Sequence, residues 1–225
     1  MANNKPYLGR FVWYDLMTTD PTASTRFYSK LFGWTAKEDA PGSSGPYTMF
    51  RNGPKEFGGM VAIEKSRPMP SHWLGYVAVA DINAIAARVA GLGGRVAHPP
   101  MEIPNVGHFA VIVDPQGAAF SLYQGRDTEP TEDWEIPSGP GTVVWNELLS
   151  PDPLAAAGFY REVCGWTTRE MDMGPMGTYW IFMHEGKDCA GMMKMPPDAQ
   201  GPPAWLCHFE VTDVDASTTM TQELG

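Results

Sequence analysis

The sequence predicts an α+β protein built from tandem βαβββ modules. Three observations predict it: an internal repeat at one fixed period, the order of extended and helical patterns within each repeat, and turn residues at the joints. The stretch FVWYDLMTTDPTASTRFYSKLFGWT (11–35) lies over VVWNELLSPDPLAAAGFYREVCGWT (143–167) and carries Trp13 onto Trp145, a shift of 145 − 13 = 132. The same shift carries Tyr47 onto Tyr179, Phe50 onto Phe182, Gly59-Met60 onto Gly191-Met192, Trp73-Leu74 onto Trp205-Leu206, Asp81 onto Asp213 and Leu92-Gly93 onto Leu224-Gly225. No gap is needed, and roughly a third of the overlapping positions are identical, which chance does not sustain at a single period.

Within the first copy, Phe11 to Met17 is a β-branched and aromatic run that reads as a strand. Asp20-Pro21 follows as helix cap and first helical residue, and Ala23, Phe27, Tyr28 and Leu31 recur at helical spacing until Gly33 stops the helix. Residues 46–51 and 57–63 read as strands around the Asn52-Gly53 turn signal. The order then repeats. Residues 73–80 form a strand, Asp81 caps a helix ending at Leu92-Gly93-Gly94, and 95–97, 108–113 and 118–124 are short strands, the last two joined by Asp114-Pro115-Gln116-Gly117. Each full copy is therefore two modules. This divides the chain into a first domain over 1–124, a Pro- and acid-rich linker over 125–141, and a second domain over 142–225 that stops before its last three strands.

With 225 residues and 43% hydrophobic content there is ample material for a core. A net charge of −10 argues against nucleic acid or an anionic membrane as partner, because both repel an acidic surface. No apolar run reaches the roughly 18 residues of a membrane span and the first residues lack a signal-peptide pattern, so the chain reads as cytoplasmic. Cys164, Cys189 and Cys207 are odd in number and widely spaced, which suits buried reduced thiols better than a disulfide framework or metal knuckle.

Asp20…Phe27-Tyr28…Gly33-Trp34, Val79-Ala80-Asp81-Ile82 leading to Leu92-Gly93-Gly94, and Asp114-Pro115-Gln116-Gly117 together resemble the vicinal-oxygen-chelate superfamily of glyoxalases, extradiol dioxygenases and bleomycin-resistance proteins. They recur in the second copy as Asp152, Phe159-Tyr160, Gly165-Trp166 and Asp213-Val214. Within the superfamily the chain resembles the tandem two-domain glyoxalase-like proteins of actinobacteria. The resemblance implies modules that pair into curved half-barrel sheets around a small-molecule cleft. It also implies where metal-dependent members keep their ligands: a His or Gln seven residues before each helix-capping Asp, and a Glu seven residues after the Asp of the closing turn. Those places hold Trp13, Leu74 and Ser121 in copy one and Trp145 and Leu206 in copy two, which is no ligand set for a divalent ion. Residues two apart on a strand share a face, so a displaced oxygen and nitrogen site from Glu147, His208 and Glu210 is the alternative, suited to Fe, Zn, Ni or Mn.

Without a metal, what the pattern offers is an aromatic cleft with a few polar groups. Trp13, Asp15, Tyr76, Ser121 and Tyr123 fall on inward parity, Tyr47, Phe50 and Met60 are near neighbours, and His108 stands at the rim. His72, His98 and His184 read as exposed surface residues, and Trp34 and Trp166 as core. The leading reading is a protein that sequesters an aromatic or amphipathic small molecule without a cofactor. Its rival is a metal-dependent lyase, isomerase or dioxygenase of the glyoxalase type, and a third reading is an interaction module. The unfinished second copy further predicts either a longer protein of about 256 residues or a homodimer in which a second chain covers the open edge.

Overall fold

In a computed structural model, residues 7–38, 47–66, 69–126 and 138–225 are described. The first module is β1 (Phe11–Thr18), α1 (Pro21–Phe32), β2 (Thr35–Glu38), β3 (Tyr47–Asn52) and β4 (Lys55–Ala62). The second is β5 (His72–Ala78), α2 (Ile82–Val89), β6 (Arg95–Ile103), β7 (Gly107–Val113) and β8 (Ala119–Gly125). The third is β9 (Val143–Ser150), α3 (Pro153–Cys164), β10 (Thr167–Asp172), β11 (Thr178–His184) and β12 (Lys187–Lys194), and β13 (Ala204–Phe209) with α4 (Val214–Leu224) begins a fourth. The strands form an eight-stranded sheet in the order β2-β3-β4-β1-β5-β8-β7-β6 and a five-stranded sheet in the order β10-β11-β12-β9-β13. Most of the predicted 125–141 linker lies outside the described residues.

One local device starts each of α1 to α4. Asp20, Asp81, Asp152 and Asp213 each accept a hydrogen bond from the backbone N–H three residues on, at Ala23, Ala84, Ala155 and Ala216. Each satisfies a donor that the first helical turn cannot satisfy itself. The α1 and α3 ends are closed by Gly33 and Gly165 at φ 71° and 70°, the left-handed conformation that a Cβ disfavours. β6 is longer than the predicted 95–97 and runs through Pro99-Pro100 with two register shifts. It is the end strand of its sheet, where a missing N–H breaks no ladder bond on the open side.

The contacts group the chain into two compact units, one of residues 1–12, 75–135 and 145–207, the other of 13–74, 136–144 and 208–225. In the first, α3 buries Pro153, Ala156, Phe159, Tyr160, Val163 and Cys164. Three contacts fix it there. Tyr160 Oη donates to Asp114 at 3.0 Å, Gln116 Nε2 donates to the Asp152 carbonyl at 2.7 Å, and Arg88 donates to the Glu162 carbonyl at 2.9 Å. Gly94 lies so close that an added Cβ would stand 2.9 Å from the Phe159 ring. In the second unit the core is Leu16, Trp34, Phe50 and Met60, with Tyr28, Phe32, Phe57, Trp73 and Phe209 packed around it. Here α1 has no fully buried residue and meets α4 and Phe209, whose ring lies 5.1 Å from Phe32.

Trp34 and Trp166 are core residues at 2% and 1% exposure, as predicted. Their indole N–H groups make corresponding bonds, to the Gly141 carbonyl at 2.9 Å and to the Gly9 carbonyl at 2.8 Å. Among the described residues no helix is long and apolar enough to cross a membrane.

The three thiols are free, Cys164 fully buried and the others half-buried. Burial pushes the Cys189 and Cys207 thiols up to about 12. Because the thiolate is the nucleophile, both are expected to react with a disulfide reagent at pH 8 on the order of a hundredfold slower in the native protein than after denaturation. A labelling time course checks this. Rapid native modification of two or more thiols would contradict it.

Candidate functional site

The site residues begin on β1. Trp13 and Asp15 lie two apart on that strand and so share a face. Asp15 pairs in register with Gly59 on β4, and Gly59 with Met49 on β3, which puts Tyr47 on the same face. Tyr47 leans over Gly59, where an added Cβ would stand 1.9 Å from the phenol oxygen. From there Tyr47 Oη donates to Asp15 Oδ1 at 2.6 Å. The Trp13 indole N–H reaches both the same carboxylate oxygen, at 3.1 Å, and Tyr47 Oη, at 2.9 Å. Asp15 is only 6% exposed, and a buried carboxylate needs such donors to offset lost hydration.

The 132-residue shift reproduces this arrangement in the other unit. Trp145 Nε1 donates to Tyr179 Oη at 2.8 Å, and Tyr179 Oη donates to Glu147 Oε2 at 2.8 Å. Glu147 pairs with Gly191, and an added Cβ there would stand 1.9 Å from Tyr179 Oη. Burial, with the Glu147 carboxylate adding to it, holds the Tyr179 phenol above its ordinary range, so the hydroxyl keeps its proton and stays a donor. Each cluster thus presents a carboxylate fixed by a phenol, flanked by an indole. Such a group can accept a hydrogen bond from a ligand hydroxyl, or take its proton, beside a flat apolar surface. Tyr179 was within reach of the sequence, because the repeat carries Tyr47 onto it.

A third group of predicted residues lies on β5, β7 and β8. Tyr76 pairs with Ser121 and Ala78 with Tyr123. On β7 the partners of Ser121 and Tyr123 are Val111 and Phe109. The Tyr76 and Phe109 rings lie 6.2 Å apart, and the His98 ring stacks on Phe109 at 5.2 Å. Ser121 is fully buried and its hydroxyl makes no hydrogen bond among the described residues. Tyr123 Oη donates to the Val106 carbonyl at 3.2 Å.

Register separates several predicted neighbours from these groups. His108 pairs with Gln124, one position out of step with Phe109 and Tyr123, and so faces the other side of its sheet. That is the helix side, where Gln124 caps α2 through the Ile82 N–H. Phe50 and Met60 likewise point away from Tyr47 and belong to the Trp34 core. His98, predicted to be exposed, is half-buried in β6 on the Ser121 face, and His72 and His184 are half-buried too.

The metal alternative fares differently. The Glu147 carboxylate accepts from Tyr179, Glu210 accepts from the Gly139 N–H at 2.9 Å, and His208 is exposed. Among the described residues no three His, Cys, Asp or Glu side chains are grouped as metal ligands. The residues at the family's ligand places do not fit a divalent ion either. The Trp13 indole donates to Asp15, Leu74 is aliphatic, and Ser121 offers one buried hydroxyl.

A family model identifies the family of this chain, and solved structures share its fold. A family model described as the Glyoxalase/Bleomycin resistance protein/Dioxygenase superfamily matches residues 10–122. A "Putative glyoxylase CFP32" of Mycobacterium tuberculosis is 33% identical over 217 residues, covering 95% of this chain and 81% of the relative. The "Anthracycline biosynthesis protein DnrV" of Streptomyces peucetius is 32% identical over 231 residues, covering 96% and 82%. Among solved structures, the Mn(II)-bound glyoxalase from Novosphingobium aromaticivorans has a TM-score of 0.61 at 15% identity, covering 96% of this chain and 70% of that one. The 2,2',3-trihydroxybiphenyl 1,2-dioxygenase of Sphingomonas wittichii strain RW1 has a TM-score of 0.63 at 13% identity, covering 96% and 78%. At these identities the structural likeness is one of fold, a mixed α+β architecture with open, curved sheets.

Proposed function

This chain belongs to the glyoxalase/bleomycin resistance protein/dioxygenase superfamily, and from that premise we propose that it binds a flat, hydroxylated aromatic molecule against its tryptophan, tyrosine and carboxylate clusters. The observation that carries the reading is the recurrence of one hydrogen-bonded cluster in both units, although Asp15 in one is Glu147 in the other. The relatives named for anthracycline biosynthesis favour a polycyclic phenol or quinone as ligand class. A ligand hydroxyl would donate to the carboxylate while the rings lie on indole and phenol surfaces.

An anthracyclinone titrated into the protein, followed by tryptophan fluorescence, tests this. The Asp15→Asn, Glu147→Gln double variant removes the charge while keeping the shape. Hydrogen bonds to charged groups contribute about 1.5–3 kcal/mol, so affinity is expected to fall at least roughly tenfold with an unchanged melting temperature. Equal affinity for parent and variant would refute the assignment. The metal-dependent alternative rests on the glyoxalase and dioxygenase neighbours, and an arm with added Mn, Fe, Zn or Ni addresses it. Binding or turnover that appears only with metal would favour that reading.

A further inference from the structure

We propose that the first compact unit holds a small oxyanion, a carboxylate or a phosphate group, at the turn end of the β11–β12 hairpin between Arg10 and His184. Arg10 is 7% exposed, and its guanidinium carries five N–H donors. Among the described residues its one hydrogen bond runs from Nη1 to the Asp188 carbonyl, at 2.5 Å. It has no carboxylate partner there, because the Asp188 carboxylate is taken by Arg169 at 2.7 Å. A largely buried cation that meets no carboxylate among the described residues has lost hydration that a bound anion would replace.

His184 adds a second polar group. Its Nδ1 is buried and makes no hydrogen bond of good geometry among the described residues, although the Gly165 backbone acts on the ring. The ring lies directly under Gly9, where an added Cβ would stand 2.4 Å from Cγ, so the Gly9-Arg10 backbone and the imidazole are in contact. Burial lowers the proton affinity of His184, Glu185 opposes this, the charge of Arg10 adds to it, and the Gly165 backbone beside the ring opposes it. Lys187, which pairs with His184 in register, adds a positive charge at the turn, where Glu185 and the Arg169-bound Asp188 also lie.

The repeat supplies an internal control. The shift of 132 places Thr142 at the position of Arg10, Asn52 at that of His184 and Phe57 at that of Cys189. In the other unit the Asn52 amide is satisfied by the Pro140 carbonyl at 2.9 Å, and the Phe57 ring packs on Trp34 at 4.4 Å. That version closes with neutral, satisfied groups and a full-sized ring. The first unit puts a cation, an imidazole and a much smaller thiol in the same three places, and the Arg10 guanidinium reaches the β12 backbone beside that thiol.

The test is a titration of the full chain with inorganic phosphate, and separately with formate, at constant ionic strength, read by calorimetry and by melting temperature with chloride as control. Saturable binding in the millimolar range or tighter is expected. Saturation by phosphate alone or by formate alone assigns the oxyanion class. Arg10→Thr is expected to weaken binding at least tenfold, and His184→Asn to weaken it as well. A rise in melting temperature that never saturates and is the same in Arg10→Thr is the general effect of an excluded salt, and overturns the proposal. Should Arg10→Thr fail to fold, the parent chain and His184→Asn decide: no saturable heat in the parent, or undiminished binding in His184→Asn, also overturns it.

Discussion

Replacing Asp114 by alanine is expected to destabilise the protein by about 3–5 kcal/mol, the largest single-residue loss foreseen here. Asp114 is 4% exposed and uses both carboxylate oxygens. Oδ1 accepts from the backbone N–H groups of Gln116, Gly117 and Ala118 at 2.9, 2.8 and 2.9 Å. Oδ2 accepts from Tyr160 Oη at 3.0 Å, and that phenol accepts in turn from Trp205 Nε1 at 2.9 Å. Alanine would strand several turn donors and a fully buried phenol together, each costing about 1–3 kcal/mol when left unmatched. Burial first, and Asp114 next, hold the Tyr160 phenol well above its usual range, so it stays a donor throughout. Urea denaturation measures the loss. Asp114→Asn, which keeps one acceptor, is expected to recover part of it, and a cost below about 1 kcal/mol for alanine would show that the turn does not anchor α3.

The second large effect falls on binding. Gly59→Ala and Gly191→Ala each place a methyl 1.9 Å from a tyrosine hydroxyl, closer than any relaxation of the strand can absorb. Tyr47 or Tyr179 must swing out, which breaks the bond to Asp15 or Glu147 and removes the aromatic wall at once. Both substitutions together are expected to weaken anthracyclinone binding by well over tenfold, beyond the effect of neutralising the carboxylates, while costing only about 1–3 kcal/mol of stability per site. Fluorescence titration beside thermal melts separates the two quantities. Preserved affinity in the double variant would mean that the tyrosines do not shape the site.

Much of the fold was legible because its signals are local. The four capping aspartates, the Gly33 and Gly165 helix ends and the Asp114 turn each act within a few residues, so the module order could be read along the chain. The first cluster was legible in the same way, since Trp13 and Asp15 need only strand alternation to share a face. What failed was register. Where a strand begins is weakly marked in sequence, and an offset of one residue turns every side chain to the other face. That offset separates His108 from Tyr123. His98 was hidden by its prolines, which read as loop but sit in a sheet edge. Arg10 and His184 carried no signal at all, because they meet only through the folding together of segments more than 170 residues apart.

The most direct measurement of the central claim is a crystal structure of the protein soaked with a hydroxylated polycyclic aromatic. Ligand density is expected against the Trp13 and Tyr47 or Trp145 and Tyr179 surfaces, with a ligand hydroxyl within about 3 Å of the Asp15 or Glu147 carboxylate. Density elsewhere, or a ligand chelating an ion held by other residues, would contradict it.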